Sequence, residues 1–111
     1  MTETVKNIIP RKFAENAQTS QYTAVDCKTI ITKFTATNNS GVTVALSINL
    51  VQNGGSASAA NRVLNTRAIS SGECYICHEV VGQVLEAGGF ISTLASAASA
   101  ITISAAGSEI T

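Results

Sequence analysis

A chain of 111 residues, 45% of them hydrophobic, has the length and apolar content for one folded domain, which excludes wholesale disorder. Seven Lys+Arg balance seven Asp+Glu, aromatic residues are 5% and Trp is absent, so there is no basic excess for phosphate backbones and few rings for stacking bases or sugars. Charged residues are only 13% and the net charge is zero, a weakly self-repelling surface that fits a protein packed against others or an extracellular binding module.

Residues 1–21 hold Lys6, Arg11, Lys12 and the only proline, Pro10. Val5, Ile8, Ile9 and Phe13 have partial helical spacing, but Pro10 disfavours a continuous helix. The stretch reads as an extended N-terminal arm ahead of a domain over 22–111. Its candidate interface residues are Ile8, Ile9, Pro10 and Phe13. Two placements are open: docking on a neighbouring subunit, or folding back as an edge strand of the same domain. The start of the chain lacks the basic-then-apolar pattern of a secretory signal, and its apolar runs are too short to span a bilayer. A reducing cytosol is therefore expected, with Cys27, Cys74 and Cys77 as free thiols.

Gln21–Val25 is a short strand candidate. Lys28–Thr37 follows, with Ile30, Thr32, Phe34 and Ala36 on one face and Ile31, Lys33, Thr35 and Thr37 on the other; its β-branched residues suit a strand. Over Val42–Val51, aliphatic Val42, Val44, Leu46, Ile48 and Leu50 alternate with Thr43, Ala45, Ser47 and Asn49. This period of two predicts a strand with one face on the core and the other towards water. Asn38-Asn39-Ser40-Gly41 between the two runs predicts an antiparallel hairpin. Residues 52–60, with Gly54-Gly55, form a flexible surface loop; without a GK[ST] ending or a following helical pattern it is not a phosphate cradle. Asn61–Ile69 and Glu73–His78 are strands, and Glu79–Ala87 is a short extended or one-turn segment. Phe90–Ala95 and Ile101–Ile110 are strands joined by a turn of small residues. Seven or eight short strands with turns between them predict an all-β sandwich or barrel.

The sharpest local motif is Cys74-Tyr75-Ile76-Cys77-His78, which matches the C-x-x-C-H of c-type haem attachment. Against haem stand the missing export signal, the lack of a second axial ligand beyond Met1, and the strand pattern, which sends Cys74 and Cys77 to opposite faces. A Cys₃His zinc site would need Cys27 beside Cys74, Cys77 and His78. The alternative is that these cysteines are small buried hydrophobes. Adjacent Cys77 and His78 face apart on a strand, which argues against a nucleophile pair. The carboxylates Glu73, Glu79, Glu86 and Glu109 lie in or near turns and form no evident acid–base couple. No catalytic residue, cofactor or metal ligand is assigned.

Several motifs in order carry a resemblance over residues 22–111. They are Tyr22-Thr23-Ala24, the turn Thr37–Gly41, ALSINLV, GGSASAANRVL, the ISSGE turn, Leu85–Gly89 and the closing SEIT. In this order they resemble a group of small β-sandwich proteins encoded among the virion structural genes of tailed phages and prophages; CYICH is not a motif of that group. The expectation is an all-β, antiparallel, jelly-roll-like β-sandwich with an extended N-terminal arm. The resemblance implies a non-enzymatic virion component, foremost a capsid decoration or cement protein. Its partners would be the major capsid protein or other virion proteins and copies of itself, with no nucleic acid and no membrane. It would be assembled in the host cytoplasm and reside in the virion. Alternatives are a tail or fibre component, or a module binding host-surface glycans.

Overall fold

The computed structural model describes residues 2–111. Their strands are β1 (Glu3–Phe13), β2 (Thr19–Thr23), β3 (Lys28–Asn38), β4 (Val44–Val51), β5 (Arg62–Ile69), β6 (Cys74–Ile76), β7 (Val84–Leu85), β8 (Phe90–Ala95) and β9 (Ile101–Ile110). A single 3₁₀ turn, Ala59–Asn61, precedes β5. One antiparallel sheet has the order β1-β9-β3-β6, with β7 also on β3; the other has the order β2-β8-β4-β5. The two pack as a β-sandwich. Phe34, Ile31 and Ile103 from the first sheet and Leu46, Ile48 and Ile91 from the second are fully buried between them.

The expected hairpin of Lys28–Thr37 with Val42–Val51 does not form. β3 lies in the first sheet and β4 in the second, so residues 39–43 cross between layers. The reason is Asn38, which is fully buried. Its Nδ2 donates to the carbonyls of Val42 and Ile69, both at 2.8 Å. Its Oδ1 accepts from the Ser40 amide at 2.9 Å and hydroxyl at 2.7 Å. Its backbone accepts from Gly72 and donates to Glu73. The side chain thus organises a turn on its own backbone, as asparagine does readily, and ties that turn to the end of β5.

The inward face of β3 also differs from simple alternation. Thr29, Ile31, Phe34, Ala36 and Asn38 are buried, whereas Thr32 and Lys33 are exposed. A register shift between Ile31 and Lys33 inserts an extra residue and changes the phase. Opposite it sits Gly107 of β9. A Cβ there would come within 2.5 Å of the Ile30 carbonyl oxygen and 3.4 Å of Ile8 Cδ1. Only a glycine lets β3 approach β9 so closely.

In place of an arm reaching away, residues 3–13 form β1, paired antiparallel along β9. A bulge between Lys6 and Ile9 turns two consecutive residues inward, and Ile8 and Ile9 are 4% and 0% exposed. Extracting either for a neighbour would cost about 1.5–3 kcal/mol of apolar burial, so both belong to this domain's own core. Pro10 is exposed between the two bulges of this edge strand, a position that tolerates the missing amide.

The outer side of β4 is covered rather than wet. Ser47 and Asn49 are buried. Ser47 Oγ accepts from the Thr66 amide, while Asn49 Nδ2 donates to Ser58 O and Asn61 Oδ1. Asn61 Nδ2 donates to Ser56 O. Residues 52–61 therefore lie pinned on the second sheet.

Two substitutions test this framework. Asn38→Ala removes four side-chain hydrogen bonds and strands the buried Ile69 carbonyl; urea unfolding is expected to give a loss of about 2–4 kcal/mol with an unchanged m value. Asn38→Asp should be at least as damaging, because it keeps the acceptor for Ser40 but turns an oxygen towards two carbonyls. Gly107→Ala should cost about 1–3 kcal/mol through overpacking against the Ile30 backbone.

Candidate functional site

The strand order places β1 over β2 on one flank of the sandwich and β6 over β5 on the other, and a tyrosine closes each flank. Tyr22 of β2 donates to the Glu109 carboxylate of β9 and shares a 2.8 Å hydrogen bond with Thr29 of β3. Burial first, and the bond to Glu109 second, hold its phenol above the usual range. Lys6 Nζ reaches the same carboxylate at 3.6 Å. Nearby, Glu15 accepts from Lys12 and from Gln21, and its carboxyl is lowered by those two bonds, that from Gln21 foremost. On the opposite flank the Arg67 guanidinium of β5 lies 4.2 Å from the centre of the Tyr75 ring of β6. Tyr75 donates to both oxygens of Glu79 at 2.8 Å; burial and this bond raise its phenol. Tyr22 and the Arg67–Tyr75 contact join sheet to sheet.

The residues of the cysteine motif are dispersed. Cys74 is exposed at the start of β6. The strand ends at Ile76, and Cys77 turns inward, its amide donating to Phe34 O at 2.9 Å. His78 is exposed in the following turn. Cys27 is buried, with its sulfur 3.5 Å from Thr29 Oγ1. Among the described residues no three His, Cys, Asp or Glu side chains converge in a metal-ligating group. Burial, with smaller contributions from Glu79 and Cys74, pushes the Cys77 thiol up to about 12.

Of the four candidate interface residues, Ile8 and Ile9 are internal, Pro10 is exposed and Phe13 is 49% exposed. Phe34 is buried and both tyrosines are engaged in the flanks, so Phe13 is the aromatic ring most open to solvent among the described residues. None of the described residues forms a helix long and apolar enough to cross a membrane.

The outer face of the first sheet carries a feature that residue patterns alone did not reveal. Arg11 of β1 and Lys33 of β3 line one open groove of about 340 Å³ with Asn7, Thr35, Ser104 and Ala106. β9 separates the two cations in the sheet. The alternation of Lys33 with buried Phe34 already turns it outward; what the residues do not signal is the pairing of β1 and β3 on either side of β9, which brings Arg11 beside it. No protein-family model matches the chain, and neither a curated protein nor a solved structure does so.

The thiols give a direct check of this placement. In the native protein a bulky thiol reagent should label Cys74 rapidly and Cys27 and Cys77 only on unfolding; rapid labelling of all three would contradict it. Because the folded Cys77 is raised while an unfolded thiol titrates near ~8.5, its contribution to stability is complete below that pH and is lost as pH rises towards about 12. Cys77→Ser should remove that part of the alkaline loss.

Proposed function

We propose that this chain is a non-enzymatic structural protein of a phage particle, a jelly-roll sandwich that decorates or cements the capsid shell. The observation that carries the reading is the nesting of strand pairs. β1 pairs with β9, β2 with β8, β3 with β6 and β7, and β4 with β5. Such nested pairs describe one long hairpin rolled across two sheets, the connectivity of a jelly roll when β6 and β7 are taken as one interrupted strand.

That architecture serves viral capsids and lectins alike, and fold alone does not choose between them. The side chains favour the first. A glycan-binding face draws on exposed aromatic rings, and here the rings are largely spent on the core and the flanks. A zero net charge and a 13% charged content suit a chain surrounded by other protein. The ordered run of motifs over 22–111 resembles virion β-sandwich proteins and adds to the same reading. Stabilisation of the shell would come from many copies, each adding a modest buried area at joints between subunits. The exposed Phe13 and the exposed part of β1 would contribute to those contacts, in place of Ile8 and Ile9.

The test is to quantify the protein on particles purified from the producing cells, by mass spectrometry and labelled imaging. A copy number comparable to that of the shell subunits, spread over the shell, is expected. A few copies confined to one vertex would assign it to the tail instead. Absence from the particle would overturn the reading.

A further inference from the structure

The sandwich has two unlike outer faces. On the second sheet, Ser47, Asn49 and Ser92 are buried under the chain's own loop and hydrogen-bonded neighbours. On the first sheet outward side chains remain open to solvent among the described residues. Register places Val5, Ser108, Ile30 and Val84 in one row across four strands, and Ser104, Thr35 and Ile76 in another. Val5, Ile76 and Val84 are 78%, 46% and 45% exposed. Small side chains along β9 keep the middle of this face flat.

Its centre is cationic, while Glu3, in the outward row of Ile110 and Lys28, and Glu86, paired with Lys28, place carboxylates at one end. Among the described residues Lys6, Lys12, Lys28 and Arg67 each have a carboxylate within 4.0 Å, and Arg62 is held by the Asn49 and Gln18 amide oxygens. Arg11 and Lys33 have no such partner, and they share the groove at the centre of the open face. Three strands about 4.8 Å apart and ten residues long at about 3.3 Å each, with the short β6 and β7 sharing the fourth row, give a flat footprint of roughly 550 Å². Side-chain relief adds to that, bringing the face near the ~800 Å² per partner of a stable complex.

We propose that this outer face docks on an acidic, partly apolar protein surface, with Arg11 and Lys33 meeting its carboxylates and Val5, Ile76 and Val84 covering its apolar rim. The inference rests on the virion reading and names the surface by which the protein would attach. A second copy is a poorer occupant, since a two-fold axis through the central groove brings Arg11 and Lys33 against the same cations. Nucleic acid is poorer too: two cations on an apolar-rimmed face of a chain with zero net charge release few counterions.

The test uses particles from a strain lacking the gene, recoated with purified full-length protein. Arg11→Gln/Lys33→Gln is compared with Ser56→Glu/Asn65→Glu, exposed substitutions outside the face. Both pairs change the net charge from 0 to −2, and thermal melts confirm that both fold. The first pair should recoat about tenfold more weakly than wild type and lose most of the salt dependence of binding; the second should match wild type. Wild-type protein that fails to recoat overturns the virion reading and this inference with it. Wild type that recoats while Arg11→Gln/Lys33→Gln recoats equally well overturns the inference alone. Binding of a duplex DNA fragment with the same dependence on Arg11 and Lys33, or self-association lost in that pair, would replace the acidic protein partner and so overturn it.

Discussion

The buried amide of Asn38 is the constraint on which the two-layer arrangement depends. A polar side chain with no solvent access is tolerated only when its donors and acceptors are matched. Here both amide hydrogens and the carbonyl oxygen are used, and the partners belong to both layers: the crossing from β3 to β4 and the exit of β5. The crossings β3 to β4 and β5 to β6 therefore meet at one residue. Apolar burial brings two sheets together without direction. Asn38 supplies direction, because its hydrogen bonds close only when both crossings are in place.

β9 plays the complementary role within the first sheet. It lies between β1 and β3, and its inward Ile101, Ile103 and Ala105 sit in the core. Gly107 allows the close approach at which β3 bulges, and the bulge sends Lys33 outward while keeping Ile31 and Phe34 inside. The core packing and the charge of the outer face thus follow from one local irregularity. The flanks, where two sheets leave open seams, are closed by polar groups: Tyr22 with Glu109 and Thr29 on one side, Arg67 over Tyr75 on the other. Such contacts fix the stacking of the sheets at points the apolar core does not reach.

Much of the strand content was legible from the residues because alternation records which face is buried. Phe90–Ala95 and Ile101–Ile110 fall where the pattern places them. Alternation does not record the partner strand. An Asn-Asn-Ser-Gly turn between two alternating runs looks the same whether the chain reverses within a sheet or crosses to another, and the difference here lies in bonds from Asn38 to Ile69, distant in sequence. Nor does a period of two reveal a bulge, so Ile30 and Ile31 exchanged faces. The polar side of β4 looked solvated, since Ser and Asn satisfied by a loop are indistinguishable in sequence from Ser and Asn satisfied by water. For Ile8 and Ile9 the residues leave two placements open for a related reason. Apolar residues beside a proline describe an arm for a neighbour as well as an edge strand docked at home, and only the double burial created by the β1 bulge separates the two.

The unequal outer faces connect this fold to the proposed role. A freely soluble domain gains from polar, mixed-charge surfaces on both sides. This chain lays its own loop on part of one sheet and leaves the other flat, small-residued and marked by two cations with no carboxylate partner among the described residues. Arg11 and Lys33 come together only because β1 and β3 flank the same strand, so the candidate surface exists as a consequence of the nested pairing and not of any local motif. Low total charge sharpens the effect. With few other charges on the molecule, and with Lys6, Lys12 and Lys28 each beside a carboxylate, Arg11 and Lys33 weigh heavily in the local field, and field rather than area selects among partners of similar shape.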